Sequence, residues 1–130
     1  MSFFVNLANN GLRQVKLYLL NEAVLFTIDS GASCSIISKH LVPENIPICI
    51  DETITITGIN GSSRSVGTVT VDLAHEDLNF SIKLHVLEKL PPNVPALLGT
   101  DFLIKHKANI NFGTMTLELC QDTIKTFIPF

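Results

Sequence analysis

The chain has 130 residues, of which 46% are hydrophobic and 16% charged, and its mean hydropathy is +0.37. This length supports one domain rather than two, and the apolar excess excludes an intrinsically disordered chain. No apolar run reaches the roughly 20 residues of a membrane-spanning helix, and the net charge of −3 excludes the positive surface of a nucleic-acid-binding domain. We expect one domain over residues 1–130, without a secretory signal, in the cytoplasm.

The first part of the chain predicts a β-hairpin. Apolar and polar residues alternate over Leu12–Leu20, with the period of a half-buried strand. Asn21-Glu22 predicts the turn. The nearly all-apolar run Ala23–Ile28 then predicts a strand that is buried on both faces.

Three further strands are predicted in the middle of the chain. Thr53–Ile59 and Val66–Leu73 alternate as half-buried strands do. Asn60-Gly61 lies between them and favours a tight hairpin, because both residues tolerate a positive φ. A polar turn then leads into another strand, Leu78–Leu87.

The last third of the chain adds one helix and a final hairpin. The short apolar strand Ala96–Leu98 is followed by Thr100, which is a typical N-cap for a helix over Asp101–Lys107. Ala108–Phe112 and Met115–Cys120 then predict two strands around a Gly-Thr turn.

Both ends of the sequence, Ser2–Leu7 and Thr126–Phe130, are short apolar segments of β type. The fold class that this order predicts is all-β, with one short helix in the C-terminal half.

The triplet Asp29-Ser30-Gly31 is the first candidate for chemistry. It places a carboxylate at the end of an apolar strand, where water is scarce, and the glycine allows a sharp turn. Two such carboxylates that share one proton can act together as general acid and general base on a peptide bond. By itself, however, the triplet is also what an ordinary turn at the end of a strand shows.

Rival sites have weaker support. His40 and Cys49 with another thiol lack the spacing of a structural zinc site, so we predict no metal and no cofactor. Cys34 with His40 could form a nucleophile and a base, but nothing marks that thiol as activated. Residues 58–61 have the G-x-x-G form of an RNA-clamping loop, yet strands flank them in an acidic chain.

A second motif lies downstream, where residues 97–103 read L-L-G-T-D-F-L. Together with F-T-I-D-S-G-A-S at 26–33 and the hairpin at Asn60-Gly61, this order resembles the retroviral-type aspartic proteases, or retropepsins. The L-L-G-T-D-F-L motif is most similar to the corresponding motif in the proteases of gypsy-type LTR retrotransposons. The resemblance extends from about Val15 to Leu119 and rests on the order and spacing of the three elements.

The resemblance implies a retropepsin-like closed β-barrel or sandwich with a flap hairpin, active as a two-fold dimer. Asp29 corresponds to the catalytic aspartate, Ser30 to the hydroxyl residue that braces the two active-site loops across the dimer axis, and Gly31 to the turn glycine. The substrate-binding surface would combine a groove, a flap that closes over it and a supporting apolar segment: Ala32, Ser33, Gly58, Ile59, Asn60, Gly61 and Leu98.

The sequence also departs from parts of the family. Many relatives carry threonine where this chain has Ser30, and serine lacks the methyl group that restricts the rotamer. Lentiviral members carry aspartate in place of Ser33 and an arginine-asparagine pair in place of Thr100-Asp101. The substrate contacts of those lentiviral residues are therefore not transferred to this chain.

Asp29 is the only aspartate in the sequence that Ser-Gly follows, so a mechanism with two carboxylates requires a second chain. Residues 1–10 and 121–130 are predicted to supply interface or flanking strands, because exposed Phe127, Ile128 and Phe130 would favour aggregation.

The predicted function is a homodimeric aspartic endopeptidase. It would bind an extended peptide and cut a retroelement polyprotein and its own flanks, in the cytoplasm or inside virus-like particles. Two alternatives stay open: a catalytically silent retropepsin-fold dimerisation or binding module of a domesticated element, and a monomeric all-β binding domain with a structural Asp29.

Overall fold

The structure is a computed structural model that describes residues 2–4 by their backbone, and residues 13–58 and 61–130 in full. No helix among these residues is long and apolar enough to cross a membrane. The helical elements are a 3-10 turn over Lys39–Leu41 and α1 over Thr100–Lys105. The strands are β1 (Ser2–Phe4), β2 (Gln14–Leu19), β3 (Glu22–Ile28), β4 (Ile36–Ser38), β5 (Thr55–Gly58), β6 (Gly61–Arg64), β7 (Gly67–His75), β8 (Leu78–Leu87), β9 (Ala96–Leu98), β10 (Asn109–Asn111), β11 (Thr116–Gln121) and β12 (Ile124–Pro129).

Six strands close into a barrel in the order β2-β3-β9-β4-β8-β7, and the contact between Tyr18 and Ala74 joins the last strand to the first. The long antiparallel ladder of β7 and β8 follows from their alternating sequences. Strands β3 and β9 run parallel, with Ile28 opposite Leu98. The residues that follow these two strands, Asp29 and Gly99, therefore emerge side by side.

Two small sheets flank the barrel. One has the order β10-β11-β12, and the other has the order β1-β5-β6 with β1 parallel to β5. Of the three apolar residues at the C-terminal end whose burial was expected at an interface, only Phe127 is exposed in the single chain. Ile128 is 2% exposed within the core of its own chain, and Phe130 packs against that core. The antiparallel ladder with β11 therefore supplies a partner within the chain for β12.

Among the residues whose side chains are described, the apolar ones form two clusters. The larger fills the barrel and extends under the β10-β11-β12 sheet, with Phe26 and Phe80 among its fully buried members. The smaller, here called the second cluster, joins residues that follow β3 to the start of the β5–β6 hairpin and to β9. Its members are Ala32, Cys34, Ile36, Ile54, Ile56, Leu87, Val94 and Leu97.

Several local predictions need correction. The first hairpin turns at Leu20 and Asn21, both with positive φ, because Leu19 pairs with Glu22 across a two-residue loop. Strand β3 is not buried on both faces along its length, since the side chain of Leu25 is 45% exposed.

The helix begins one residue earlier than predicted. Gly99 takes the N-cap position instead of Thr100, and α1 ends at Lys105 rather than Lys107. Strands β4 and β6 were not predicted, because three buried residues and a run of glycine, serine and arginine carry no alternating apolar pattern.

Candidate active site

Asp29 is the first residue after β3, and backbone hydrogen bonds fix it at both of its peptide groups. Its N–H donates to the carbonyl oxygen of Leu98 at 3.0 Å, and its own carbonyl oxygen accepts from the N–H of Ala32 at 3.1 Å. The parallel pairing of β3 with β9 creates the first contact, and a tight turn creates the second. The backbone of Asp29 is therefore fixed by hydrogen bonds that do not involve its side chain.

The carboxylate of Asp29 is 4% exposed, and its two oxygens differ. Oδ1 accepts the N–H of Gly31 at 2.8 Å. Oδ2 is buried and has no hydrogen-bond partner among the described residues. Leaving a buried carboxylate oxygen unpaired costs free energy, so such an atom marks a place where a further donor is expected.

Gly31 is required for space rather than for an unusual backbone conformation. Its φ lies outside the positive region, so the turn does not depend on the left-handed conformation that favours glycine. A Cβ at this position would lie 3.1 Å from Oδ1 of Asp29, which is closer than an ordinary van der Waals contact. A larger residue would therefore push the carboxylate away from its position.

The segment 29–35, here called the Asp29 loop, packs directly on the junction of β9 and α1. The N–H of Thr100 donates to the carbonyl oxygen of Ala32 at 2.8 Å. A Cβ on Gly99 would lie 2.4 Å from the carbonyl oxygen of Cys34 and 2.9 Å from that of Ala32. Because φ of Gly99 is −96°, which suits any residue, the position requires glycine for close approach alone.

A side-chain network at the end of this loop was not predicted from the sequence. Ser35 donates through Oγ to Oδ1 of Asp101 at 2.6 Å and through its N–H to Oδ2 at 3.0 Å. The same Oγ accepts the N–H of Gly99 at 3.0 Å. Asp101 was interpreted only as a first-turn acid of the helix, and no local pattern joins it to a serine 66 positions earlier.

The other predicted site residues divide between the surface and the core. Ser30 and Ser33 are exposed on the Asp29 loop, while Ala32 is buried in the second cluster. The Leu98 side chain is wholly buried in the main core, so its contribution here is the carbonyl that holds Asp29. Its neighbour Leu97, which faces the second cluster, lies on the same side as Ala32.

The predicted flap corresponds to the β5–β6 hairpin. Gly58 pairs with Gly61, and Gly61 has a φ of +115° that a side chain would disfavour. Ile59 and Asn60, which were predicted at the tip, lie outside the described residues.

The model of the retroviral aspartyl protease family matches residues 8–111, which is most of the chain. The chain belongs to the retroviral aspartyl protease family. A comparison with curated protein sequences finds no match.

Solved structures share the retropepsin-like fold. The retroviral protease-like domain of Ddi1 from Leishmania major superimposes with a TM-score of 0.71 at 18% identity, over 92% of this chain and 95% of that chain. The EIAV protease, in complex with the inhibitor HBY-793, superimposes with a TM-score of 0.62 at 14% identity, over 81% of this chain and 97% of that chain. These comparisons confirm the mostly β fold with a closed barrel and one short helix.

The alternative nucleophile is disfavoured in this retroviral-type aspartyl protease domain. Cys34 is buried, and burial together with the nearby charge of Asp101 raises the pKa of its thiol to about 12. A thiol that stays protonated is a poor nucleophile. Its proposed base, His40, is exposed on the 3-10 turn.

Proposed function

We propose that this protein is a homodimeric aspartic endopeptidase in which Asp29 of each chain supplies one of the two catalytic carboxylates. The observation that carries the proposal is the buried Oδ2 of Asp29, which has no partner among the described residues while Oδ1 is occupied. A second carboxylate across a two-fold axis, with a shared proton and a water, supplies the missing partner.

The chemistry follows from one proton shared between the two Asp29 carboxyl groups. The ionised carboxylate takes a proton from the water, whose oxygen then attacks the carbonyl carbon of the peptide bond. The protonated carboxyl donates its proton to the carbonyl oxygen. When the tetrahedral intermediate collapses, the C–N bond breaks and the nitrogen leaves as an amine with the proton that the first carboxylate took from the water. One hydroxyl of the intermediate returns its proton to the other carboxylate, which restores the shared proton. The balance is one water consumed for each peptide bond cut.

The substrate class follows from the surroundings of Asp29. The second cluster contributes apolar side chains from the Asp29 loop, from β9 and from the start of the flap, including Ala32, Ile56 and Leu97. An extended peptide that adds as a strand between loop and flap would place apolar side chains against this cluster. We therefore propose cleavage between apolar residues of a polyprotein, including the flanks of the domain.

The origin of the domain belongs to the same proposal. The L-L-G-T-D-F-L wording at 97–103 supports a gypsy-type LTR retrotransposon as the source. Cleavage would then take place in the cytoplasm or inside virus-like particles, where such a polyprotein is assembled.

The test is Asp29→Asn, which preserves the size of the side chain and removes the acid. We expect cleavage of an apolar peptide by the wild type to be bell-shaped between acidic and neutral pH and to be inhibited by pepstatin. Asp29→Asn should abolish it. Asp72→Asn, on an exposed carboxylate of β7, is the matched control and should retain activity. Cleavage by Asp29→Asn at the wild-type rate would overturn the assignment.

The alternative is a catalytically silent dimerisation or binding module with the same fold. This alternative predicts a stable dimer in sedimentation experiments and no cleavage of an apolar peptide between pH 4 and 7. A strictly monomeric species at high concentration would contradict the proposed protease, because the single Asp29 would then have no partner, and would favour a monomeric all-β binding domain.

A further inference from the structure

We propose that Asp101 is a positioning residue for Asp29, and that it acts through Ser35. The inference rests on the proposed function, because it concerns the placement of the proposed catalytic carboxylate. It assigns a role to a residue that lies outside the Asp-Ser-Gly triplet, on the first turn of α1.

The two carboxylate oxygens of Asp101 accept hydrogen bonds from three donors. Oδ1 accepts the hydroxyl of Ser35 at 2.6 Å and the N–H of Phe102 at 2.7 Å. Oδ2 accepts the N–H of Ser35 at 3.0 Å. Only a carboxylate offers two acceptor oxygens here. An asparagine at this position would replace one oxygen with an NH2 group, which is itself a donor and cannot accept these hydrogen bonds.

This network is the side-chain part of a three-point attachment between the Asp29 loop and the β9–α1 junction. The other two points are backbone hydrogen bonds, one from Asp29 to Leu98 and one from Thr100 to Ala32. They hold the start and the middle of the loop. Ser35 and Asp101 hold its end, with Gly99 N–H bonded to the Ser35 hydroxyl between them.

The consequence for catalysis is geometric. Asp29 has to meet its counterpart across the two-fold axis, so any displacement of its loop changes the distance between the two carboxylates. A misplacement of about 1 Å is expected to cost on the order of 100-fold in rate. In this scheme Asp101 acts through its contacts with Ser35 and not on the substrate, so the loss should fall on kcat.

The experiment measures kcat and KM on an apolar peptide for wild type, Asp101→Asn, Ser35→Ala and Ser35→Thr. Active sites are titrated with pepstatin, so that kcat refers to correctly folded sites only. We expect Asp101→Asn and Ser35→Ala to lower kcat by about 10–100-fold with KM changed by less than about threefold. Ser35→Thr retains the hydroxyl and should restore most of kcat. Asp72→Asn is the control for the loss of one carboxylate.

Amide hydrogen exchange gives a readout that does not depend on turnover. Asp101→Asn should accelerate exchange at the amides of Ser35 and Gly99, whereas the Asp29 amide, bonded to Leu98, should stay slower. If Asp101→Asn does not fold, the pair Ser35→Ala and Ser35→Thr decides the question.

The outcomes separate the two proposals. A wild type that cleaves, with Asp101→Asn and Ser35→Ala at the wild-type kcat for each titrated site, overturns the positioning role and leaves the proposed function intact. A folded wild type that cleaves no peptide overturns the proposed function and the positioning role with it. A loss confined to stability, with kcat per site unchanged, also contradicts positioning.

Discussion

The Asp29 loop and the flap hairpin are both built from a few residues, but they are held in opposite ways. The loop is attached by hydrogen bonds to the β9–α1 junction at its start, middle and end. The hairpin formed by β5 and β6 instead exposes every residue of β6, and its side-chain hydrogen bonds from Thr57 and Arg64 lie at the surface. A buried hydrogen bond from the Ile54 N–H to the Ser65 hydroxyl holds its base. Only its inward face, with Ile54 and Ile56, reaches the second cluster.

This difference matches what the proposed chemistry requires of each region. A carboxylate that has to meet a second carboxylate needs a fixed position, which packed backbone and a satisfied network provide. A segment that admits and covers a peptide needs low local stability, which exposed hydrogen bonds provide. The two glycines show the same contrast, because Gly99 is packed against backbone while a Cβ on Gly61 would meet no atom of the described residues within 4 Å.

The largest expected effect comes from filling the tight contact at Gly99. In Gly99→Ala the new Cβ would overlap the carbonyl group of Cys34, and backbone cannot move aside as a flexible side chain can. We expect a loss of about 3 kcal/mol or more in the free energy of unfolding, and loss of activity. Urea denaturation measures it. Gly61→Ala in the flap should cost only about 1–2 kcal/mol, from its positive φ. Equal losses of stability in the two variants would contradict the difference in packing between the β9–α1 junction and the flap.

The next effect concerns the link between the two regions. Ile56 is 4% exposed and shares the second cluster with Ala32 of the Asp29 loop. Ile56→Ala removes buried methyl and methylene groups, so we expect a loss of about 2–3 kcal/mol and a higher KM. Thermal unfolding and peptide cleavage measure both. Ile50→Ala, at a side chain that is 72% exposed, should change neither.

The stability of the fold is expected to depend on pH through the buried His106. Burial lowers the pKa of His106 below its usual 6.5, and the nearby charge of Lys105 lowers it further. A hydrogen bond to the carbonyl of Cys120 acts in the opposite direction and raises the pKa. The folded state therefore favours neutral His106. This contribution to stability is complete above pH 6.5 and is lost as the pH falls towards the lowered pKa.

The measurement is the free energy of unfolding between pH 5 and 7.5 for wild type and His106→Gln. The variant should lose less stability on acidification than the wild type, while His40→Gln, on an exposed imidazole, should behave as the wild type does. An identical pH profile for wild type and His106→Gln would exclude His106 as the cause.

The smallest effect is expected at the flap surface. The guanidinium of Arg64 donates to the hydroxyls of Thr55 at 3.1 Å and Thr53 at 2.8 Å, and these contacts are exposed. Arg64→Ala should therefore cost about 0.5 kcal/mol or less. Arg64→Lys keeps the charge without the planar fork and serves as the comparison. A loss as large as that of Ile56→Ala would show that the flap is held more firmly than its exposure indicates.

Much of the architecture could be predicted from local pattern. The strand Leu78–Leu87 and the strand Ala96–Leu98 are observed with the predicted bounds, because alternation and the flanking turn residues are local signals. The ends of the first hairpin and of the helix shifted by a residue or two, since turns are decided by pairing register rather than by composition.

The sequence by itself determined the family, five of the six barrel strands and the candidate Asp29, because periodicity and short motifs are properties of neighbouring residues. Only the tertiary structure decided that Gly31 and Gly99 are needed for space, that β12 pairs within its own chain, and that Asp101 reaches Ser35. The contacts of Gly99 and Asp101 with the Asp29 loop depend on the parallel pairing of β3 with β9, which brings these two strands together from distant parts of the chain. No local pattern encodes such a contact.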